Sequence, residues 1–237
     1  MGKRQQTRER IERQIIELGR AHLATDGAAG LSLRAIARDL GMVSSAVYRY
    51  VANRDELLTL LLVDGYTELA DAVEKARDAA PARWRDRLAA IARAARAWAV
   101  QQPTGWALLY GSPVPGYQAP RDRTVGPGTR VVGALLAVVA EGIASGDIAP
   151  TSKITVPQQL SQDFDGVRAE FDFAADDDLV ARCLTLWAAL IGAISLEVFG
   201  QYGPDTFAEP AAVFDAQLEM LTECLVHGPQ PPRQQQN

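Results

Sequence analysis

The sequence has few of the residues that build metal centres, disulfide frameworks and common catalytic sites. Of its 237 residues two are cysteines and two are histidines. Cys183 and Cys224 stand in separate apolar patterns with no metal or redox spacing, and His22 falls in an apolar stripe where it is predicted to be a packed core residue. Nucleophile-elbow, phosphate-loop and HExxH patterns are also missing. These absences predict no metal, no cofactor and no enzymatic activity.

Long uncharged runs are missing as well. The longest helical one lies between Arg182 and Glu197, shorter than the ~20 residues that cross a bilayer. The N-terminus is charged, which disfavours a signal peptide. We therefore expect a cytoplasmic protein with no membrane partner and with reduced cysteines.

Basic and acidic residues are unevenly distributed along the chain. The formal net charge is −5, yet residues 1–54 hold ten Lys and Arg against five Asp and Glu, and the remainder holds fourteen against twenty-four. A basic N-terminal region before an acidic remainder places phosphate-attracting charge on one part of the chain. This asymmetry favours double-stranded DNA as a partner.

Residues 31–54, here called the two-helix segment, read as two short helices joined by a sharp corner. Ser32 is a suitable N-cap, and an apolar stripe follows at Leu33, Ile36, Ala37 and Leu40. Gly41 suits the positive φ that ends a helix, and Met42, Val47 and Val51 can pack back on the first helix. The pattern predicts a helix-turn-helix, although an ordinary helical hairpin remains an alternative.

The outward positions of this segment supply the candidate DNA contacts. Small polar residues at the start of the second helix allow close approach to base edges, and longer basic or aromatic residues can reach phosphates. The candidates for base contacts are Arg34, Ser44, Ser45, Ala46 and Arg49. The candidates for phosphate contacts are Ser32, Tyr48, Tyr50 and Arg54.

The same residues carry a family resemblance. The stretches LSLRAIA (31–37), LGM (40–42), AVYRYV (46–51) and NRDELL (53–58) resemble the DNA-binding domain of TetR-family transcriptional regulators. Val43 stands where many members have a capping residue, so Ser44 is expected to supply the cap. Arg54 replaces the commoner Lys, which keeps the phosphate charge with a different geometry.

Periodicity along the rest of the chain predicts an all-α protein: an N-terminal three-helix helix-turn-helix domain and a larger helical ligand-binding and dimerisation domain. The expected domains are residues 1–53, 54–227 and a disordered tail at 228–237. Helices are predicted at 7–25, 54–79, 82–102, 130–145, 179–202 and 206–225, besides the two-helix segment, and residues 106–110 read as a short apolar piece after a break. Residues 147–178 read as a long connection with one short helix, and Asp176–Asp178 as cap and first-turn residues.

Residues 111–120, GSPVPGYQAP, are here called the proline-rich tract. The tract cannot be helical, and it resembles that of the TetR subgroup with a WHG-type ligand-binding domain. Aromatic residues around it predict a pocket for a small hydrophobic or aromatic effector, although each one suits an ordinary core equally well. The candidates are Trp98, Trp106, Tyr110, Tyr117, Trp187 and Phe199. Glu197, inside an apolar helix, needs a partner or a ligand cation unless it caps a helix or is exposed.

Small residues in the helix at 179–202 allow another helix to approach closely. The two C-terminal helices are therefore expected to form a homodimer interface, as the resemblance also implies. The combined expectation is a ligand-responsive regulator, a repressor that binds a near-palindromic operator as a homodimer and is released by its effector. The alternative is a helical small-molecule-binding protein or enzyme without DNA binding.

Overall fold

The computed structural model of the chain describes residues 3–149 and 156–228, and the regular structure in those ranges is helical. The predicted all-α fold class is confirmed. The predicted tail, beyond Gly228, lies outside the described residues. The helices are α1 (Lys3–Gly30), α2 (Leu33–Asp39), α3 (Ser44–Val47), α4 (Arg54–Ala79), α5 (Trp84–Gln101), α6 (Pro103–Tyr110), α7 (Arg121–Ala144), α8 (Gln158–Phe171), α9 (Asp177–Val198) and α10 (Pro210–His227).

Packing divides the chain into two compact units. Unit 1 contains the described residues up to Ala70 together with Gln101–Thr129, and unit 2 contains Asp71–Val100 and the described residues from Arg130 onward. The long helices α4 and α7 each contribute residues to both units. The functional boundary expected at residues 53 and 54 stays a prediction, because these units are defined by contacts alone.

The core of unit 1 forms around the apolar stripe predicted for α2. Leu33, Ile36 and Ala37 are buried together with Ile15 of α1 and Val47 of α3. Leu57, Leu58 and Leu61 of α4 close this core, as the helix pattern predicted. Val114 and Tyr117 of the proline-rich tract also pack against it, partly buried. The tract therefore belongs to the same unit as the two-helix segment.

The core of unit 2 combines the apolar faces of α5, α7, α9 and α10. Its buried side chains include Leu88, Ile91, Leu135, Val139, Leu186, Leu190, Ile194, Phe214 and Leu218. A charged pair lies among them, since Arg182 and Asp178 are both buried and their Nη2 and Oδ2 atoms are 3.0 Å apart. Arg182 also donates to the main-chain oxygens of Ala149 and Leu225. Through its bond to the Leu225 carbonyl, Arg182 ties α9 to the end of α10.

Several predicted helix bounds were wrong. Helix α7 begins at Arg121, nine residues before the predicted start, and holds Pro127 in its interior. Gly126, Pro127 and Gly128 have low helix propensity, yet α7 continues through them, and Arg123 in its first turn pairs with Glu56 of α4 at 2.7 Å. Helix α1 begins at Lys3 rather than residue 7, and its regular geometry ends at Gly27 (φ 67°, ψ 177°) as predicted.

Among the described residues, two helices, α7 and α9, are long and apolar enough to cross a membrane by length and composition alone. The core helices of water-soluble proteins meet the same test, and 39% of each tested window is buried within the fold. One or two such helices are weak evidence for a span. The expectation of no membrane partner stays a prediction.

Candidate nucleic-acid interface

The corner of the two-helix segment is a paired hydrogen-bond motif. The Gly41 N–H donates to the Arg38 carbonyl at 3.0 Å, and the Met42 N–H donates to the Ala37 carbonyl at 2.9 Å. Gly41 has φ +66°, the left-handed conformation that glycine adopts without strain. These two bonds form the Schellman ending of α2. They fix the direction in which the chain enters α3.

Helix α3, the second short helix of the segment, is a single turn. It runs from Ser44 to Val47 with Val43 at the N-cap, and no side chain caps it. The expectation that Ser44 supplies the cap is therefore wrong, because Ser44 is already the first helical residue. Beyond Val47 the chain tightens into turns, in which the Tyr50 and Val51 N–H groups both donate to the Val47 carbonyl.

The structure leaves five of the candidate DNA contacts on the outer surface: Arg34, Ser44, Ser45, Tyr48 and Arg49 are exposed. Ala46 is 8% exposed and packs inward beside Val47, so its methyl group lies against the protein. Ser32 is half-buried and accepts from the Ala35 N–H at 3.4 Å, as its predicted capping role requires. Their roles toward DNA stay predictions.

Arg54 and Tyr50, two candidates for phosphate contacts, already have partners inside unit 1. Arg54 donates from Nη2 to the Ala28 carbonyl at 2.6 Å, which ties the start of α4 to the end of α1. The half-buried Tyr50 ring lies 6.0 Å from the guanidinium carbon of Arg8. Both side chains therefore stabilise the fold in this conformation. Nothing in the local sequence pattern indicated these partners.

His22 is not the fully packed core residue that its position in the stripe predicted. It is half-buried, and its Nε2 lies 2.7 Å from Oδ2 of Asp39. The pair joins α1 to the last residue of α2. Seventeen residues separate the partners, so helical periodicity gave no signal for the contact.

Three of the predicted effector contacts lie in unit 1. Trp106 is fully buried, and its ring centroid is 4.4 Å from that of Tyr110, which meets Tyr66 edge to face at 6.3 Å. Tyr117 shares a hydrogen bond of 2.9 Å with Thr59, a buried residue of α4. Burial raises the pKa values of Tyr66 and Tyr110 above their usual range. Thr59 was missed, and Tyr66 was predicted only as part of the apolar side of its helix, because a helix pattern does not show which side chains of other elements it meets.

The other three predicted effector contacts lie in unit 2. Trp98 and Trp187 are half-buried, and Phe199 is exposed at the end of α9. Glu197 has the partner that the sequence required, since Arg96 of α5 donates to it from both Nε and Nη2. This forked pair is part-buried. Arg96 was missed because it lies 101 residues away from Glu197 in the sequence.

The acidic run before α9 has structural partners, as predicted. Asp176 caps the helix by accepting from the Leu179 N–H at 2.8 Å. Asp177 pairs with Arg168 and Asp178 with Arg182. Within residues 3–149 and 156–228, no group of three or more His, Cys, Asp or Glu side chains could hold a metal ion.

These features define the class of the protein: an all-helical chain whose N-terminal region carries a helix-turn-helix with a polar outer face. Residues 88–221 match a family model described as the tetracyclin repressor-like C-terminal domain. The HTH-type transcriptional regulators Rv1816 of Mycobacterium tuberculosis and Mb1846 of Mycobacterium bovis are each 61% identical over 226 residues, which cover 95% of this chain and 96% of theirs. A crystal structure of the regulatory protein SCO4313 aligns with TM-score 0.75 and 32% identity, over 94% of this chain and 100% of that one.

The chain belongs to the TetR family of transcriptional regulators. The FadR regulator from Bacillus subtilis, solved in complex with stearoyl-CoA, shares the fold at 16% identity and TM-score 0.62, over 92% of this chain and 98% of that one. The WHG-type subgroup stays a prediction from the proline-rich tract.

Proposed function

We propose that this regulator is a repressor that binds a near-palindromic operator as a homodimer and is released by a small hydrophobic or aromatic effector. The observation that carries the proposal is the outer face of the two-helix segment. Arg34, Ser44, Ser45, Tyr48 and Arg49 are exposed there, on an N-terminal region with an excess of basic residues. This is the chemistry that reads base edges and holds phosphates.

The second support is a surface of α9 and α10 that is apolar, unlike the mostly polar outer face of the two-helix segment. Leu184, Leu196 and Met220 are exposed. A groove of about 330 Å³ opens beside two of them, lined by Ala189, Gly192, Ala193, Leu196, Tyr202, Gln217, Met220 and Leu221. An exposed apolar surface of this kind fits a second copy of the chain. The pairing would set two reading helices about one DNA turn apart, ~34–36 Å.

The effector is the third part of the proposal. The cluster of Trp106, Tyr110 and Tyr66 offers aromatic rings in tilted and edge-to-face contact together with tyrosine hydroxyls, and such groups suit a small apolar or aromatic molecule. To switch the operator from nearly full to nearly empty, the effector must favour the released state by ~10⁴-fold, about 5.5 kcal/mol. We place this switch in the cytoplasm and assign no reaction to the chain.

The test begins with selection of duplexes from a random pool, followed by titration against the selected and a scrambled duplex. We expect Tyr48→Ala to weaken binding to both duplexes alike, because a phosphate contact is independent of sequence. Ser44→Ala and Arg34→Ala should change the preference between the duplexes. Arg83→Ala is the matched control, since Arg83 is an exposed arginine of unit 2.

Three outcomes contradict separate parts of the proposal. Equal losses on both duplexes for Ser44→Ala and Arg34→Ala would contradict the base-reading roles. A monomer that binds no duplex at low salt would favour the alternative, a helical small-molecule-binding protein. Tight binding to the selected duplex that no apolar or aromatic compound reverses would contradict the proposed release by an effector.

A further inference from the structure

Val43 is an exposed apolar residue at the start of the proposed reading helix. It occupies the N-cap of α3 with extended backbone angles (φ −67°, ψ 141°), and its side chain makes no capping bond. It is 71% exposed, compared with 45% for Tyr48. Its main chain is used, because its carbonyl accepts from the Ala46 N–H at 2.8 Å. Its side chain contributes little to the fold.

A valine at this position carries a cost for the fold. Serine, threonine, aspartate and asparagine are preferred at an N-cap because their side-chain oxygens accept an otherwise unpaired N–H. The neighbouring helices follow that rule, since Ser32 accepts from Ala35 and Asn53 accepts from Glu56. Helix α3 begins without such a bond. Valine at this position is therefore not explained by the stability of the fold.

Single exposed apolar side chains are common on protein surfaces, so exposure alone would carry no inference. The inference depends on where Val43 lies in the two-helix segment. Val43 directly precedes Ser44 and Ser45, both exposed, at the end of the helix that usually contacts base edges. In the major groove thymine presents a 5-methyl group, which apolar side chains contact.

We propose that Val43 is a specificity-determining residue that contacts the 5-methyl group of one thymine in each operator half-site. The proposal rests on the proposed function, since it requires α3 to enter the major groove. It assigns an A·T base pair to one position of each half-site. It also explains why the capping position of α3 holds an apolar side chain.

The test replaces each thymine of the selected operator with deoxyuridine, which removes only the methyl group. Wild-type protein is expected to lose roughly fourfold in affinity at one position per half-site, the factor that corresponds to about 0.8 kcal/mol for one methyl group. Val43→Ala should lose a similar factor on the thymine operator and become indifferent to deoxyuridine at that position. Val100→Ala, an exposed valine outside the two-helix segment, is the control and should keep the wild-type pattern.

A second variant distinguishes an effect on operator binding from an effect on the stability of the fold. Val43→Ser restores a capping oxygen, so we expect a higher urea midpoint together with weaker operator binding. A structural role for Val43 would move both quantities in the same direction. Loss of both stability and affinity in Val43→Ser overturns the proposal.

The outcomes also distinguish this inference from the proposed function. If wild-type protein prefers its operator but no deoxyuridine position responds differently in Val43→Ala, the contact with thymine is wrong and DNA reading stands. If wild-type protein shows no preference among duplexes, both are wrong.

Discussion

The pairs α2–α3 and α9–α10 end their first helices in the same way and then present different surfaces. Gly200 follows α9 with φ +67°, and the Gly200 and Gln201 N–H groups donate to the Glu197 and Leu196 carbonyls. These are the same two bonds that Gly41 and Met42 make after α2. Apart from Val43, the outer face of α2–α3 is mostly polar, with Ser44, Ser45 and Arg49 exposed, whereas α9 and α10 expose Leu196 and Met220.

Because both helices end with the same backbone hydrogen bonds, the ending does not indicate which kind of partner a helix pair binds. The outward side chains do. Ser44, Ser45 and Arg49 suit a hydrated polyanion, and exposed leucine and methionine suit another apolar surface. The interiors differ too. The α9–α10 pair holds the buried Arg182 and Asp178, whereas the described inner face of α2–α3 is apolar. Each difference leads to a measurable prediction.

The largest expected effect is on the buried pair. Arg182→Ala leaves Asp178 buried without this cation and removes the donor to the Leu225 carbonyl. We expect the free energy of unfolding to fall by about 3–5 kcal/mol in urea titrations. Arg93→Ala removes an exposed pair with Asp215 and should cost less than about 1 kcal/mol. Similar losses in the two variants would contradict a special role for the buried pair.

The second prediction concerns the exposed face of α9. Leu196→Glu would place an unpaired carboxylate in the proposed homodimer interface, which is strongly unfavourable. We expect dimer dissociation to become easier by at least about 100-fold, or ~2.7 kcal/mol, in sedimentation experiments. The control is Leu160→Glu on α8, where the leucine is similarly exposed. A dimer unaffected by Leu196→Glu would remove the partner assigned to this surface.

The third prediction uses the two matched glycines. A Cβ at Gly41 or Gly200 would meet nothing within 4 Å, so alanine should cost only the left-handed strain of about 1–2 kcal/mol at either position. Thermal unfolding should report similar losses. Gly41→Ala should also weaken operator binding, because the corner directs α3, whereas folded Gly200→Ala should bind normally. Equal binding by the two variants would break the comparison.

The smallest effect is a response to acid in unit 2. The Trp84 indole N–H, and then the Ser145 hydroxyl, donate to Asp147 and hold the pKa of that carboxyl below its ordinary value of 3.8. The stabilisation is therefore present above the unfolded-state pKa and is lost as pH falls through the folded-state pKa. Tryptophan fluorescence should show an acid step that is missing in Asp147→Asn.

Local patterns predicted most of the helices because capping and apolar periodicity act within a few residues. Ser32, Gly41 and Asp176 have the roles that their residue types indicated. The start of α7 was missed because the prediction followed the apolar stretch from Arg130 onward, whereas the first turns of α7 contain residues of low helix propensity at 126–128. Arg54 was predicted to contact phosphate. Its bond to the Ala28 carbonyl was not predicted, because the two residues are distant in sequence.

The candidate effector residues were harder to predict for the same reason. The proline-rich tract was placed with the ligand-binding region because of its resemblance, yet Tyr117 bonds Thr59 within unit 1. The local sequence indicates that the Tyr117 side chain packs against the protein, but it does not indicate which helix the side chain contacts. Partners such as Arg96 for Glu197 depend on pairings across a hundred residues.

The docking of Val114 and Tyr117 has a consequence for protein engineering. A chimeric regulator made by joining residues 1–53 to the remainder of a relative would remove these two side chains from the core they help to fill. An exchange that transplants residues up to 70 together with residues 101–129 would keep that core intact, because Leu57, Leu58 and Leu61 of α4 belong to it. Biosensor design with this chain should therefore treat unit 1, which carries the two-helix segment, as two separate pieces of sequence.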